Sequence, residues 1–303
     1  MKKLNIVALV WALMIGSQID AVAQLSPPVS NIYLLKFQRQ GENYYKFQYP
    51  TLLTYATKTL YNNQPTFIGE ILYYASLQTD NQTDILSFNI KTAKTEKITS
   101  TPNLSEYSPS ICPENPKLLT IVKMEEDGKT QRLWNILREE GKENKSEVAF
   151  IEKIKNVGYY RWITNQRLAL FLVEKPNKLV LYDTKTQAYD TIASNVGRCL
   201  QVSPRGEVSY VSDIRDEQIY IKVWSPITKK SSRLIEILPF SEDFLWLPNG
   251  AIWMGSGSRI YEFIPGKQRD WVEIADLSPY GITNITRLAF KDDSSIAIVN
   301  VEK

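Results

Sequence analysis

The chain has 303 residues, 43 % of them hydrophobic, and a formal net charge of +3, a composition ordinary for a globular protein. It contains no histidine, which excludes Ser-His-Asp and Cys-His catalysis and zinc sites built on imidazole. The small excess of Lys and Arg forms no basic run dense enough to hold phosphates, so nucleic acid is not an expected partner.

Lys2 and Lys3 open the chain, an apolar run follows over residues 6–15, and Ala21-Val22-Ala23 ends it. A basic start, a short apolar stretch and an A-x-A site are the pattern of a secretory signal peptide, residues 1–23. The apolar run is well short of the about 20 residues a spanning helix needs. No cysteine follows the cleavage site to carry a lipid. The expectation is an exported or periplasmic protein whose residues 24–303 form one domain, with no transmembrane segment after cleavage.

Beyond Ser26-Pro27-Pro28, residues 31–37 read as a strand and residues 44–53 as another, with a turn at Asn62-Asn63-Gln64-Pro65. A repeat then sets in. Its first half is an apolar strand, a turn of Pro, Asn, Asp or Gly, and a second apolar strand. It occurs at residues 66–76, 110–123, 161–173, 200–211, 244–254 and 287–299. The second half is a strand with a bulky residue late in it, then a polar turn and a short strand. It occurs at residues 85–88, 133–136, 179–182, 221–224 and 260–263. A four-strand unit recurring at roughly 40 to 45 residues is the period of a β-propeller. The sixth first half has no second half behind it. Residues 31–37 are of the missing kind, so they are expected to pair with residues 296–301 and close the ring, leaving no unpaired edge. The fold class is therefore all-β, a six-bladed β-propeller with its last blade shared by the two ends of the chain.

Glu106-Tyr107-Ser108-Pro109, Gln131-Arg132-Leu133-Trp134 and the turns Pro204-Arg205-Gly206 and Pro248-Asn249-Gly250 resemble the WD40-like (PD40) repeats of TolB-type periplasmic propellers. The likeness runs from about residue 31 to residue 301. The family's Pro-Asp-Gly turn is replaced by other turn formers, such as Pro113-Glu114-Asn115 and Lys291-Asp292-Asp293. The resemblance implies six blades, export to the periplasm and a role in binding proteins. It carries no catalytic residue with it.

The positions just before each inner strand should crowd around one mouth of the channel. They hold Asn63 and Gln64, Glu106 and Tyr107, Tyr159 and Tyr160, Gly197 and Arg198, Glu242 and Asp243, and Thr286 and Arg287. Glu106, Tyr107, Tyr160, Arg198, Glu242, Asp243 and Arg287 are the candidate binding residues. The same set would also serve as salt bridges and hydrogen bonds tying blade to blade, and both readings stay open. Tyr159-Tyr160-Arg161-Trp162 is the densest aromatic cluster, with Trp162 expected to be buried between blades. Asp213, Asp216 and Glu217 could offer oxygens to Ca²⁺, but their spacing fits no EF-hand and Arg215 sits among them, so a solvated turn is expected. Cys112 and Cys199 align near opposite ends of inner strands two blades apart, beyond the about 7 Å a disulfide spans, and are expected as free, buried thiols.

No phosphate loop or nucleophile elbow is present. The expected function is a non-catalytic exported propeller, without cofactor or metal, that binds another protein of the cell envelope. The alternative is a carbohydrate-binding or lyase-like propeller using the channel mouth, since two-carboxylate chemistry needs no histidine.

Overall fold

Each repeat folds as a four-stranded antiparallel sheet because its strand-forming runs are short and turn formers separate them. The computed structural model describes residues 27–42, 44–138, 148–212 and 218–302. The expected leader and the Asp213, Asp216 and Glu217 loop lie outside the described residues.

The chain opens with β1 (Ser30–Gly41), β2 (Tyr44–Phe47) and β3 (Thr51–Leu52). Blade 1 is β4 (Asn62–Ile68), β5 (Ile71–Leu77), β6 (Thr83–Asn89) and β7 (Lys94–Lys97). Blade 2 is β8 (Glu106–Ile111), β9 (Leu118–Met124), β10 (Gln131–Leu137) and β11 (Val148–Ala149). Blade 3 is β12 (Val157–Trp162), β13 (Arg167–Leu172), β14 (Lys178–Asp183) and β15 (Tyr189–Ser194). Blade 4 is β16 (Val196–Val202), β17 (Val208–Ser212), β18 (Tyr220–Ser225) and β19 (Lys230–Glu236). Blade 5 is β20 (Phe244–Trp246), β21 (Ile252–Ser256), β22 (Arg259–Phe263) and β23 (Val272–Asp276). Blade 6 takes β24 (Ile285–Asp292) and β25 (Ser295–Val301) from the end of the chain and β1 and β2 from its start. The protein is a six-bladed β-propeller.

Ring closure follows the expected pairing of the two ends: Asn31 pairs with Asn300, Leu35 with Ile296 and Lys36 with Ser295. Residues 44–53 do not form one strand. Pro50 has no N–H for a ladder, and the segment divides there: β2 completes blade 6, while β3 pairs with Tyr33 and Leu34 of β1. Polar ties carry the closure into blade 1. Ser30 Oγ donates to the Asn62 carbonyl at 2.9 Å, and Asn62 Nδ2 donates back to the Ser30 carbonyl at 3.0 Å.

The core is six wedges, one in each gap between neighbouring blades. The second strand of every blade is sandwiched between two other sheets. Such strands are buried on both faces and read as near-continuous apolar runs, as Leu119, Ile121 and Val122 do around Thr120 in β9. Outermost strands such as β15 and β19 face solvent and are polar. In blade 5, Glu262 is fully buried and accepts from Tyr45 Oη of blade 6 and from Trp253 Nε1. Among the described residues no helix is long and apolar enough to cross a membrane.

Candidate binding site in the central channel

Five of the six inner strands carry a register irregularity in their first half: Asn63 to Thr66, Tyr107 to Ser110, Val157 to Tyr159, Val196 to Leu200 and Ile285 to Arg287. A bulge adds a residue on one strand and re-aims the side chains beside it. Gln64 and Ser108 take left-handed backbone at these places, with φ of 57° and 53°. Most of the residues expected in loops ahead of the inner strands therefore lie inside those strands, on the channel wall. Only Glu242 and Asp243 precede theirs.

Four of the candidates meet at the entry end of the channel. Arg198 of blade 4 places Nη2 2.8 Å from Asp243 Oδ2 and Nε 3.6 Å from Glu242 Oε2, both in the approach to blade 5. Arg287 of blade 6 places Nε 3.5 Å from Asp243 Oδ1. One carboxylate thus holds arginines from two blades. The Arg198 backbone N–H also donates to Glu242 Oε1. That contact needs Gly197, because a Cβ there would collide with the same oxygen. Burial alone would raise the Asp243 pKa, but Arg287 and Arg198 outweigh it and hold the carboxyl below its ordinary value. Glu242 is pushed up instead, by burial that Arg198 does not fully offset. Asp243 in turn raises Arg198 above the usual guanidinium value.

Aromatic side chains from the other blades flank this cluster. The Arg287 guanidinium lies 5.4 Å from the ring centroid of Tyr159 of blade 3, a cation–π distance. Tyr107 of blade 2 is half-buried beside the wedges on either side of its blade. Tyr61, at the approach to blade 1, has its phenol pushed up to about 12 by burial, with Tyr159 adding to the shift.

Two candidates are not part of this group. Glu106 is fully buried and pairs across the sheet with Lys123, whose Nζ lies 4.0 Å away, while Thr99 Oγ1 donates to its other oxygen at 3.1 Å. Burial pushes its carboxyl up to about 7. It lies just before the bulge in β8, so its side chain falls in the gap between blades 1 and 2. Tyr160 is buried between blades 2 and 3, and its hydroxyl donates to the Ser108 carbonyl at 3.0 Å and to the Thr120 carbonyl. Trp162 is half-buried against Phe150 rather than fully enclosed. Cys112 and Cys199 are free and buried, as expected.

Below the entry cluster the inner strands of all six blades enclose a cavity of about 380 Å³, within the size range of small-ligand sites. Its charged lining is Arg161, Arg198, Arg287 and Asp243. Sequence reasoning missed Arg161. The available signal was its place in an inner strand opposite a small apolar residue, Ala169. A second cavity, about 450 Å³, opens on the entry face between blades 4 and 5. Arg198, Leu238, Pro239, Phe240, Glu242 and Thr286 line part of it. Phe240 is fully exposed and sits at φ 59°, a conformation that disfavours bulky side chains.

No protein-family model and no curated protein matches the sequence. Solved structures do match in shape. A protein assigned as TolB from Agrobacterium tumefaciens superposes with a TM-score of 0.65 at 12% identity, covering 92% of this chain and 100% of that one. TolB from Acinetobacter baumannii gives 0.57 at 13% identity, over 80% of this chain and 65% of that one. An oligogalacturonate lyase from Vibrio parahaemolyticus gives 0.50 at 12% identity, over 90% and 98%. The chain has the TolB-type propeller fold. At these identities the likeness is one of fold, and the fold hosts both non-enzymes and enzymes.

Proposed function

We propose that this is an exported, non-catalytic propeller that binds another protein of the cell envelope through its entry face. On this reading residues 1–23 are a signal peptide, and the mature chain from Gln24 is one propeller domain working in the periplasm or outside the cell. The observation that carries the reading is Phe240. A fully exposed phenylalanine in left-handed backbone, on the rim of a cavity that Arg198 and Glu242 also line, has the character of an interface anchor: a rigid aromatic beside a pocket with charges at its edge. The T-shaped pair of Tyr49 and Tyr280, rings 5.0 Å apart, adds exposed aromatic surface on the approach to β24.

The chemistry of the channel mouth supports a binding role over catalysis. The chain has no histidine, and Asp243 and Glu242 are engaged by arginines, so neither is an unencumbered acid or base. The test is site-specific photo-crosslinking in the native envelope. A crosslinker at Phe240 should capture a discrete protein, and one at Thr184, on a turn at the opposite face, should not. Equal labelling from both positions would refute the reading. Specific retention on a uronate or glycan array with no protein crosslink would favour the carbohydrate-binding alternative.

A further inference from the structure

Arg161 is unlike every other charged group of the channel. Arg198 and Arg287 share Asp243. The Arg161 side chain has no hydrogen bond or ion pair among the described residues, and it lines the cavity enclosed by all six inner strands. The side chain keeps solvent-accessible surface because the channel admits water. The protein around it nevertheless lowers its pKa by burial, which Cys199 and Tyr160 only partly oppose. The neighbouring carboxylates cannot neutralise it, because both already face Arg198 and one also faces Arg287.

Two further polar atoms on the lining residues lack partners. Ser108 Oγ and Trp162 Nε1 are both buried without a hydrogen bond among the described residues. Buried polar groups are nearly always satisfied, so these two atoms want partners, while the solvent-exposed Arg161 guanidinium on the same lining wants a counter-charge. Indole N–H and guanidinium only donate, and a hydroxyl can donate. What would satisfy them is an acceptor that also bears negative charge. Water can hydrate the exposed guanidinium but cannot neutralise it. The charge balance narrows the choice. Asp243 on the lining and Glu242, which holds Arg198 from outside it, offset two of the three arginines, so one positive charge is left over, which suits a monoanion better than a phosphate dianion. A planar carboxylate also matches the guanidinium fork.

We infer that the central channel is a binding site for a monocarboxylate ligand, with Arg161 holding the carboxylate and Ser108 contributing a hydroxyl. The cavity volume of about 380 Å³ suits a ligand of monosaccharide or dipeptide size. Two chemical sources present such a group: a uronic acid sugar, and the C-terminal carboxylate of a short peptide. The site lies within the channel and stands whether or not the entry face binds a protein.

The experiment is calorimetric titration of the full chain at low salt with three probes: glucuronate, N-acetyl-Ala-Ala with a free carboxylate, and the same dipeptide as its C-terminal amide. At least one carboxylate should bind and raise the melting temperature, and the amide should not; which carboxylate binds identifies the source. Arg161→Gln should weaken that binding about tenfold or more, Arg161→Lys should weaken it less, and neither should lower the melting temperature, since no partner is lost. Ser108→Ala gives an independent reading through a smaller loss. Absence of carboxylate binding, equal binding of the amide, or binding unchanged in both Arg161→Gln and Ser108→Ala overturns the inference.

Discussion

Asp243 is the point on which the ring's electrostatics turn, and Asp243→Asn tests it. The side chain is 8% exposed and lies between Arg198 at 2.8 Å and Arg287 at 3.5 Å. The substitution keeps the shape and one acceptor but removes the charge. It leaves two guanidinium groups from different blades facing each other across an amide. Removing one partner from a buried pair costs about 3–5 kcal/mol. Arg198 is 38% exposed, so solvent screens its share, and the lower end, about 3 kcal/mol, is expected. At about 2–4 °C per kcal/mol for a chain of this class, the melting temperature should fall by about 6–12 °C. Thermal unfolding followed by circular dichroism at neutral pH measures it. Adding Arg287→Gln to Asp243→Asn should recover part of the loss, since one unpaired charge goes with it. The pH dependence has a definite sign. The folded pKa of Asp243 lies below the unfolded value near 3.9. Its contribution is thus complete above about pH 4 and is lost as pH falls through the folded pKa. A variant melting within about 1 °C of the parent, with no recovery in the double variant, would refute the view that this carboxylate ties three blades together.

Glu106 should behave in the opposite sense. Its carboxyl is raised to about 7, so its own contribution to stability should be greatest below about pH 4.5 and decline by about 3 kcal/mol as pH rises to about 7. Urea midpoints between pH 5 and 7.5 should show that slope in the parent and lack it in Glu106→Gln. Deleting the chain through Lys36 should abolish cooperative unfolding, because β1 supplies Ile32, Leu34 and Leu35 to two wedges of the core; an unchanged melting curve would contradict the closure. Both thiols should react with a chromogenic disulfide only after denaturation. Cys112 and Cys199 are buried, and burial pushes the Cys199 thiol up, so one thiol reacting rapidly in the native protein would disprove this.

Architecture was legible in the residues because it rests on local signals. Apolar runs such as Leu119 to Val122, bounded by Pro113-Glu114-Asn115 on one side and Asp127-Gly128 on the other, define strands and turns without reference to the rest of the chain. The repeat period follows from counting them. Closure was also determined there, because a half-repeat at each end has only one partner left. Side-chain direction on the inner strands was decided by the tertiary structure. Strand side chains alternate, so a one-residue slip moves each of them to the other face. The bulges in β4, β8, β12, β16 and β24 introduce such slips at the mouth of the channel. Glu106 and Glu242 occupy equivalent places in the repeat, yet one ends between blades beside Lys123 and the other at the channel mouth beside Arg198. Arg161 and Phe240 are an ordinary strand arginine and an ordinary loop aromatic in the sequence. Only the packing of six blades shows the first to line the central channel without a counter-charge and the second to be exposed in left-handed backbone, because partners and exposure are set by residues far away in the chain.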